Sequence, residues 1–228
     1  MWSYTQTAGM GEFARIVVLS LAVSVSATLL ATAIGLPAGS ALAVFRFRGR
    51  RALVVLVNAF FGLPPVVIGL ALYLALSHSG PLGSLGLLFT PTAMVIAQTA
   101  LAAPIITAIV HRASERAWGR YGDALLNAGA SRTTALPHII AIARADVVTA
   151  VLAGFGRTIS EVGAVILVGG NIRDQTRTMT TAITLFTSQG ELPLALGLGA
   201  LLVGISISVS AAVFALAGTA RDAGENER

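Results

Sequence analysis

An ionisable pair of opposite charge, Arg157 and Glu161, interrupts an otherwise apolar stretch in the second half of the chain. Residues at this spacing lie on one face of a helix and can form an ion pair. Ionisable side chains at membrane depth are costly and rarely face lipid. The pair therefore belongs to a transport path that offers positive potential to an anion, to a structural lock in which Glu161 neutralises Arg157, or to a gate that exchanges partners on opening. Ser160 lies beside the pair and is part of the same candidate path or gate.

A second polar feature is the segment of residues 111–144, which separates two very apolar halves of the chain. It is far longer than a link between two membrane spans requires, and arginines alternate with acids along it. At its centre stand Asp123, Ala124, Gly129, Ala130, Ser131 and Arg132. We expect a cytoplasmic partner to bind this segment, so that the chain is the membrane part of a machine whose motor is a separate chain.

Residue types exclude several familiar chemistries. All basic side chains other than histidine are arginine, and without lysine the chain cannot form the GxxxxGK[ST] loop that cradles phosphates. The absence of cysteine excludes disulfides and thiolate metal sites. The histidines are scattered without an HExxH motif, and no GxSxG elbow is present. Because no convergent catalytic set can be assembled, we predict no catalytic residue, no metal site and no cofactor.

The composition indicates a domain embedded in lipid. Of the 228 residues, 55% are hydrophobic and 11% are charged, whereas soluble domains carry about 25% charged residues. The net charge of +5 comes from arginines that cluster between apolar runs. The positive-inside tendency of membrane proteins explains this clustering better than binding to nucleic acid does. We therefore expect no nucleic-acid partner.

Five runs are long and apolar enough to cross a membrane, since a helical span takes about 20 residues. They cover about residues 16–44, 52–77, 92–110, 145–168 and 192–217. Backbone groups cannot remain unpaired in lipid, so we predict that all five are helices of an all-α, multi-pass membrane protein. Residues 1–15 precede the spans, and residues 218–228 form a polar tail.

The arginines also predict the orientation of the chain. Loops 45–51 and 111–144 are rich in arginine, loop 78–91 has none, and loop 169–191 has two. The arginine-rich loops should face the cytoplasm. The N-terminus then lies outside and the C-terminus inside the cytoplasmic membrane.

Glycines and prolines interrupt three of the spans. Residues 35–39 should break the first span near its cytoplasmic end, and residues 62–65 should break the second near its middle. Pro104 lies inside the third span. Proline kinks a helix, and such kinks are tolerated where protein or a cavity supplies new partners. They are ordinary packing kinks or features of a path, and Pro64 and Pro65 are the candidates for the second role.

The central polar segment resembles the cytoplasmic signature of type I ABC importer permeases. That signature is an acid, an alanine, and a glycine six residues after the acid, which match Asp123, Ala124 and Gly129. The resemblance implies that this segment forms short coupling helices that dock in a groove of an ATPase subunit. The chain departs from the family where Ala141 and Ile142 replace a Leu-Pro pair near the end of the signature.

Several strings narrow the resemblance to the tetrahedral-oxyanion branch of molybdate, tungstate and sulfate permeases, and most closely to tungstate permeases. They are LPPVVIGL at 63–70, SGPLG at 79–83, EVGA at 161–164, VGGNI at 168–172 and MTTAI at 179–183. The resemblance implies import by alternating access. It also implies a homodimer with two ATPase subunits and a periplasmic oxyanion-binding protein. Alternatives are the same machine carrying molybdate, sulfate or another solute, a secondary transporter driven by an ion gradient, and a membrane enzyme.

Overall fold

The computed structural model describes the backbone of residues 2–225 and the side chains of residues 11–215. Of the predicted terminal segments, residue 1 and residues 226–228 lie outside the described residues. The helices are α1 Trp2–Val44, α2 Arg50–Phe61, α3 Pro65–Leu76, α4 Pro91–Asn127, α5 Arg132–Ile142, α6 Arg144–Ile159, α7 Gly163–Gly169, α8 Met179–Ser188 and α9 Leu192–Glu225. A 3₁₀ turn, Gly83–Leu85, lies between α3 and α4. Within the described residues all regular structure is helical, which confirms the all-α prediction.

Within the part of the chain that the structure describes, three helical stretches are long and apolar enough to cross a membrane, namely Gly11–Val44, Pro91–Asn127 and Leu192–Ala215. The number rises to five if the bent pairs α2–α3 and α5–α6 each count as one span. The helix α5 meets α6 at an angle of 75°. The stretch predicted as the fourth span, residues 145–168, is divided between α6 and α7, because the helix ends at Ile159 and restarts at Gly163.

The predicted break in the first span is wrong, because α1 continues through residues 35–39 with Pro37 inside it. A β-carbon built on Gly35 would lie 2.9 Å from Ile106 Cγ2 on α4. A β-carbon on Gly39 would lie 2.7 Å from the carbonyl oxygen of Thr107. These glycines therefore permit close packing of two helices instead of ending one.

The predicted break in the second span is present, because α2 ends at Phe61 and α3 begins at Pro65. Pro64 is extended, with φ −62° and ψ 127°, and Pro65 occupies the first helical position. That position suits proline because its missing N–H would have no partner within the helix. Pro104 remains inside α4.

The chain divides into two compact units. The first comprises Met1–Ala27, Pro64–Ala100 and Arg157–Ile207, and the second comprises Thr28–Leu63, Leu101–Gly156 and Ser208–Arg228. Each unit has an apolar core of its own. The first core contains Ile16, Met179, Ala182 and Leu198. The second contains Ala31, Ala102, Ile106, Val110 and Ala150.

Candidate functional site

Within the first unit, the start of α7 lies against the start of α3. A β-carbon built on Gly163 would lie 2.8 Å from Val66 Cγ2, and one built on Gly69 would lie 2.6 Å from the Cα of Ala164. The absence of side chains at Gly69 and Gly163 thus lets the two short helices approach closely. The structure therefore brings the region of Pro65 and the region of Glu161 together.

The carboxylate of Glu161 is held at the break between α6 and α7. Its side chain is only 3% exposed. Oε1 accepts a hydrogen bond of 3.0 Å from the backbone N–H of Ala164, in the first turn of α7. A negative group at this position also interacts favourably with the helix dipole. The hydroxyl of Thr180 donates to the backbone carbonyl of Glu161 over 2.8 Å, so the residue is fixed by backbone as well as by side chain.

Arg157 forms the predicted ion pair with Glu161, with 3.5 Å between Nη2 and Oε2. Arg157 lies in the last turn of α6, where a cation interacts favourably with the helix dipole. Its side chain is 32% exposed, in contrast to the buried carboxylate. The pair is consequently asymmetric: the negative end is covered by protein, and the positive end is accessible.

Ser160 lies between the two charged residues in the helix break, and its side chain is exposed. The hydroxyl donates to the backbone carbonyl of Arg157 over 3.3 Å. The structure thus places Arg157, Ser160 and Glu161 at one junction, with α3 beside it. Chemically, this junction can offer the guanidinium of Arg157 to a passing anion.

A cluster of charged residues in the first unit was not singled out from the sequence. Arg173 and Arg177 both donate to the carboxylate of Glu12. Arg15 pairs with Asp174 at 3.1 Å. The signal for this cluster in the sequence is the spacing of Arg173 and Arg177, which lie four residues apart in one loop. Their acidic partner, Glu12, lies near the start of the chain and cannot be recognised from that spacing. This cluster fastens the beginning of α1 to the loop that precedes α8.

In the second unit, the predicted coupling segment is a helix–turn–helix. The helix α4 continues to Asn127, so Asp123 and Ala124 lie near its C-terminal end. Gly129 has φ +87°. A left-handed glycine of this kind commonly ends a helix. Ser131 then caps α5 by accepting a hydrogen bond of 3.2 Å from the backbone N–H of Thr134.

The predicted coupling residues differ in exposure. Asp123, Ala124, Gly129 and Ser131 are exposed, whereas Ala130 and Arg132 are half-buried. Arg132 Nη1 donates to the carbonyl oxygen of Val44 over 3.1 Å. The sequence placed Arg132 among residues that face a partner, and the structure places its guanidinium on the last residue of α1.

A second arginine also binds the C-terminal end of α1. Arg50 Nε donates to the carbonyl oxygen of Leu42 over 2.6 Å. Its Nη2 forms an ion pair of 2.7 Å with Glu115 and lies 3.4 Å from His111 Nε2. Carbonyl groups at the end of a helix lack partners within it, and here side chains from α2 and α5 supply them.

In the described residues, histidine, aspartate and glutamate do not gather in groups of three or more that could hold a metal ion. Individual acids and histidines instead pair with arginines or backbone groups, as Glu12, Glu115 and Glu161 do.

Comparison with other proteins gives three informative relatives. The chain is 40% identical over 201 residues to a probable anion ABC transporter permease protein of Haloferax volcanii, which covers 86% of this chain and 87% of the relative. It is 36% identical over 201 residues to the tungstate uptake system permease protein TupB of Peptoclostridium acidaminophilum, with 88% of each chain covered. It is 30% identical over 174 residues to the molybdenum transport system permease protein ModB of Azotobacter vinelandii, covering 72% and 76%. No protein-family model matches the chain.

Proposed function

Since this chain belongs to the permease subunits of ABC transporters, we propose that it forms the membrane path of an importer for an oxyanion, and that the oxyanion is tungstate. The permease subunit is not itself catalytic, and ATP is hydrolysed on a separate chain. The observation that carries the proposal is the asymmetric pair at the α6–α7 junction, where Arg157 is accessible and Glu161 is covered. An anion that reaches this junction meets positive potential first.

The names of the relatives support tungstate as the transported solute. One is named for an anion, one for tungstate and one for molybdenum. Identity to the tungstate relative is higher than identity to the molybdenum relative. Tungstate is therefore the first candidate, and molybdate is the second.

The geometry of the junction supports a transport step in which the oxyanion passes Arg157. A single accessible guanidinium attracts a divalent oxyanion without enclosing it, and weak binding lets the anion leave again. The exposed hydroxyl of Ser160 lies beside it and donates to the backbone carbonyl of Arg157. The close contact of α3 with α7 holds the chain that follows Pro64 and Pro65 against this junction.

We assign to the coupling segment the role of transmitting the work of ATP hydrolysis to the membrane helices. We place residues 123–132 on the cytoplasmic side, where Asp123, Ala124 and Gly129 present an exposed surface to an ATPase subunit. The chain acts as a homodimer, since a twofold axis lets few helices enclose a path. Two ATPase subunits and a periplasmic binding protein complete the importer. Closure of the ATPases then shifts the permease between inward-facing and outward-facing states.

The proposal is tested by uptake into proteoliposomes that contain this chain with its ATPase, in the presence of the binding protein. Tungstate uptake should require ATP inside the vesicles, and competition should rank tungstate above molybdate and sulfate. Uptake driven by an ion gradient without the ATPase would identify a secondary transporter instead. Uptake in which molybdate or sulfate outcompetes tungstate would retain the importer but replace the solute.

A further inference from the structure

An open cavity of about 570 Å³ lies in the second unit, between α4 and the elbow that joins α5 to α6. It is distinct from the junction at Arg157 and from the exposed coupling residues. The side chains that decide its chemistry are Arg116, Ala117, Arg120, Tyr121, Ile142 and Asp146. The function described above does not use this cavity.

The cavity carries an excess of positive charge. Arg116 and Arg120 stand one turn apart on the same face of α4. Arg116 forms an ion pair of 3.2 Å with Asp146, across the cavity wall. Among the described side chains, residues 11–215, none forms a hydrogen bond or ion pair with the guanidinium of Arg120. The guanidinium of Arg120 is therefore left to bind an anionic group, and the guanidinium of Arg116 lies on the same helix face one turn away.

The rest of the lining is apolar or amphipathic. Ala113, Ala117 and Ala143 are buried in the wall, and Ile142 is 47% exposed at its edge. Tyr121 is 41% exposed, and its side chain combines an apolar ring with a polar hydroxyl. A hydrated inorganic ion gains little from such a wall, whereas a molecule with a charged head and an apolar body contacts both parts.

The position along α4 places the cavity near the membrane surface. The uncharged part of this helix ends at Val110, and the arginines follow within three turns. Side chains of a helix tilt towards its N-terminus, so the guanidinium groups lean back towards the apolar stretch. Long arginine side chains reach the headgroup region in this way. In the proposed orientation this is the cytoplasmic leaflet, which carries anionic lipids.

We propose that the cavity binds the headgroup of an anionic phospholipid. Arg120 and Arg116 bind the phosphate, the hydroxyl of Tyr121 donates to it, and Ile142 contacts the glycerol and the start of an acyl chain. The lipid thereby joins α4 to the α5–α6 elbow, next to the coupling segment. The assignment holds whichever oxyanion is transported.

The test uses the full chain with its ATPase in nanodiscs of phosphatidylcholine, with or without phosphatidylglycerol. Retention of phosphatidylglycerol after delipidation is measured by native mass spectrometry, and the thermal midpoint is measured in both nanodiscs. Phosphatidylglycerol should raise the midpoint of the wild type. Arg120→Gln should reduce retention about five-fold. The matched control is Arg48→Gln, because Arg48 is exposed between α1 and α2 and does not line the cavity.

Equal losses in Arg120→Gln and Arg48→Gln would mean that surface charge binds lipid diffusely, which would overturn the proposal. Stabilisation by sn-glycerol 3-phosphate in pure phosphatidylcholine nanodiscs would assign the cavity to a soluble phosphate and would equally overturn it. If Arg120→Gln does not assemble, Ile142→Trp serves instead, since it fills the apolar edge without changing the charge. Undiminished retention in Ile142→Trp would refute lipid binding in this cavity.

Discussion

Arg132 and Val44 are joined by a hydrogen bond of 3.1 Å, from the guanidinium at the start of α5 to the carbonyl oxygen at the end of α1. The two residues are 88 positions apart in the sequence. Arg132 directly follows Ser131, the cap of α5, and the turn at Gly129. Because of this bond, we expect a displacement of the proposed coupling segment to be transmitted to α1 as well as to α4 and α5.

Replacing Arg132 by glutamine should weaken the transfer of motion from the ATPase to the membrane helices. A hydrogen bond to a charged group contributes about 1.5–3 kcal/mol, and the partial exposure of Arg132 places its contribution at the lower end. We expect a lower thermal midpoint and fewer oxyanions transported per ATP hydrolysed. Arg144→Gln is the control, because Arg144 is an exposed arginine in the same polar segment. An unchanged transport-to-ATP ratio in Arg132→Gln would show that the bond plays no part in coupling.

Gly129 should tolerate no side chain, although there is space around it. A β-carbon at this position would meet nothing within 4 Å, but its φ is +87°. The left-handed conformation costs other residues about 1–2 kcal/mol. Gly129→Ala should therefore lower stability and loosen association with the ATPase, measured by thermal unfolding and co-purification.

The matched control is Gly119→Ala, because Gly119 lies inside α4 and also has no neighbour within 4 Å of its β-position. Alanine is favoured over glycine in a helix by about 1 kcal/mol. Replacing glycine by alanine should thus stabilise the protein at position 119 and destabilise it at position 129. Equal effects of the two substitutions would contradict the assigned role of the turn.

Features set by local chain chemistry could be predicted from the sequence. Helical spacing predicts the pair Arg157–Glu161, which forms although α6 ends at Ile159 and Glu161 lies beyond it. The break before Pro65 follows from two successive prolines. The break expected at residues 35–39 fails because packing decides the outcome there. A single proline removes one hydrogen bond, whereas Gly35 and Gly39 permit continuous contact with α4.

Contacts between distant parts of the chain could not be predicted in the same way. Glu12 and Arg177 are separated by 165 residues, and neither position shows a pattern that identifies the other. The hydrogen bond from Arg132 to Val44 could not be predicted either. Its acceptor is a backbone carbonyl, which every residue type has. Only the three-dimensional arrangement of the helices reveals that these groups meet.

Close contact between α3 and α7 should depend on Gly69. A β-carbon there would lie 2.6 Å from the backbone Cα of Ala164, which cannot move aside as a flexible side chain does. Overpacking of this kind costs about 1–3 kcal/mol. Gly69→Ala should lower the thermal midpoint and alter oxyanion uptake, because α7 follows directly after Glu161. Gly119→Ala is the control, because it adds a methyl group where there is space. Equal thermal midpoints for Gly69→Ala and Gly119→Ala would rule out a tight contact between α3 and α7.

A double-mutant cycle at Arg157 and Glu161 separates a transport role from a structural one. Arg157→Gln leaves a carboxylate that is 3% exposed without its cation, and Arg157 itself is 32% exposed. The cost should therefore be about 1–3 kcal/mol, below that of breaking a fully buried pair. Glu161→Gln keeps an acceptor for the N–H of Ala164 and should cost less.

The double variant Arg157→Gln with Glu161→Gln removes both charges and should recover most of the lost stability. If Arg157 attracts the oxyanion, uptake should stay low in the double variant although its thermal midpoint recovers. If the pair only locks the helices, uptake should return together with stability. We expect the first result, because the accessible end of the pair is the positive one. Measuring tungstate uptake and thermal unfolding on the same preparations of all four proteins decides between the two roles.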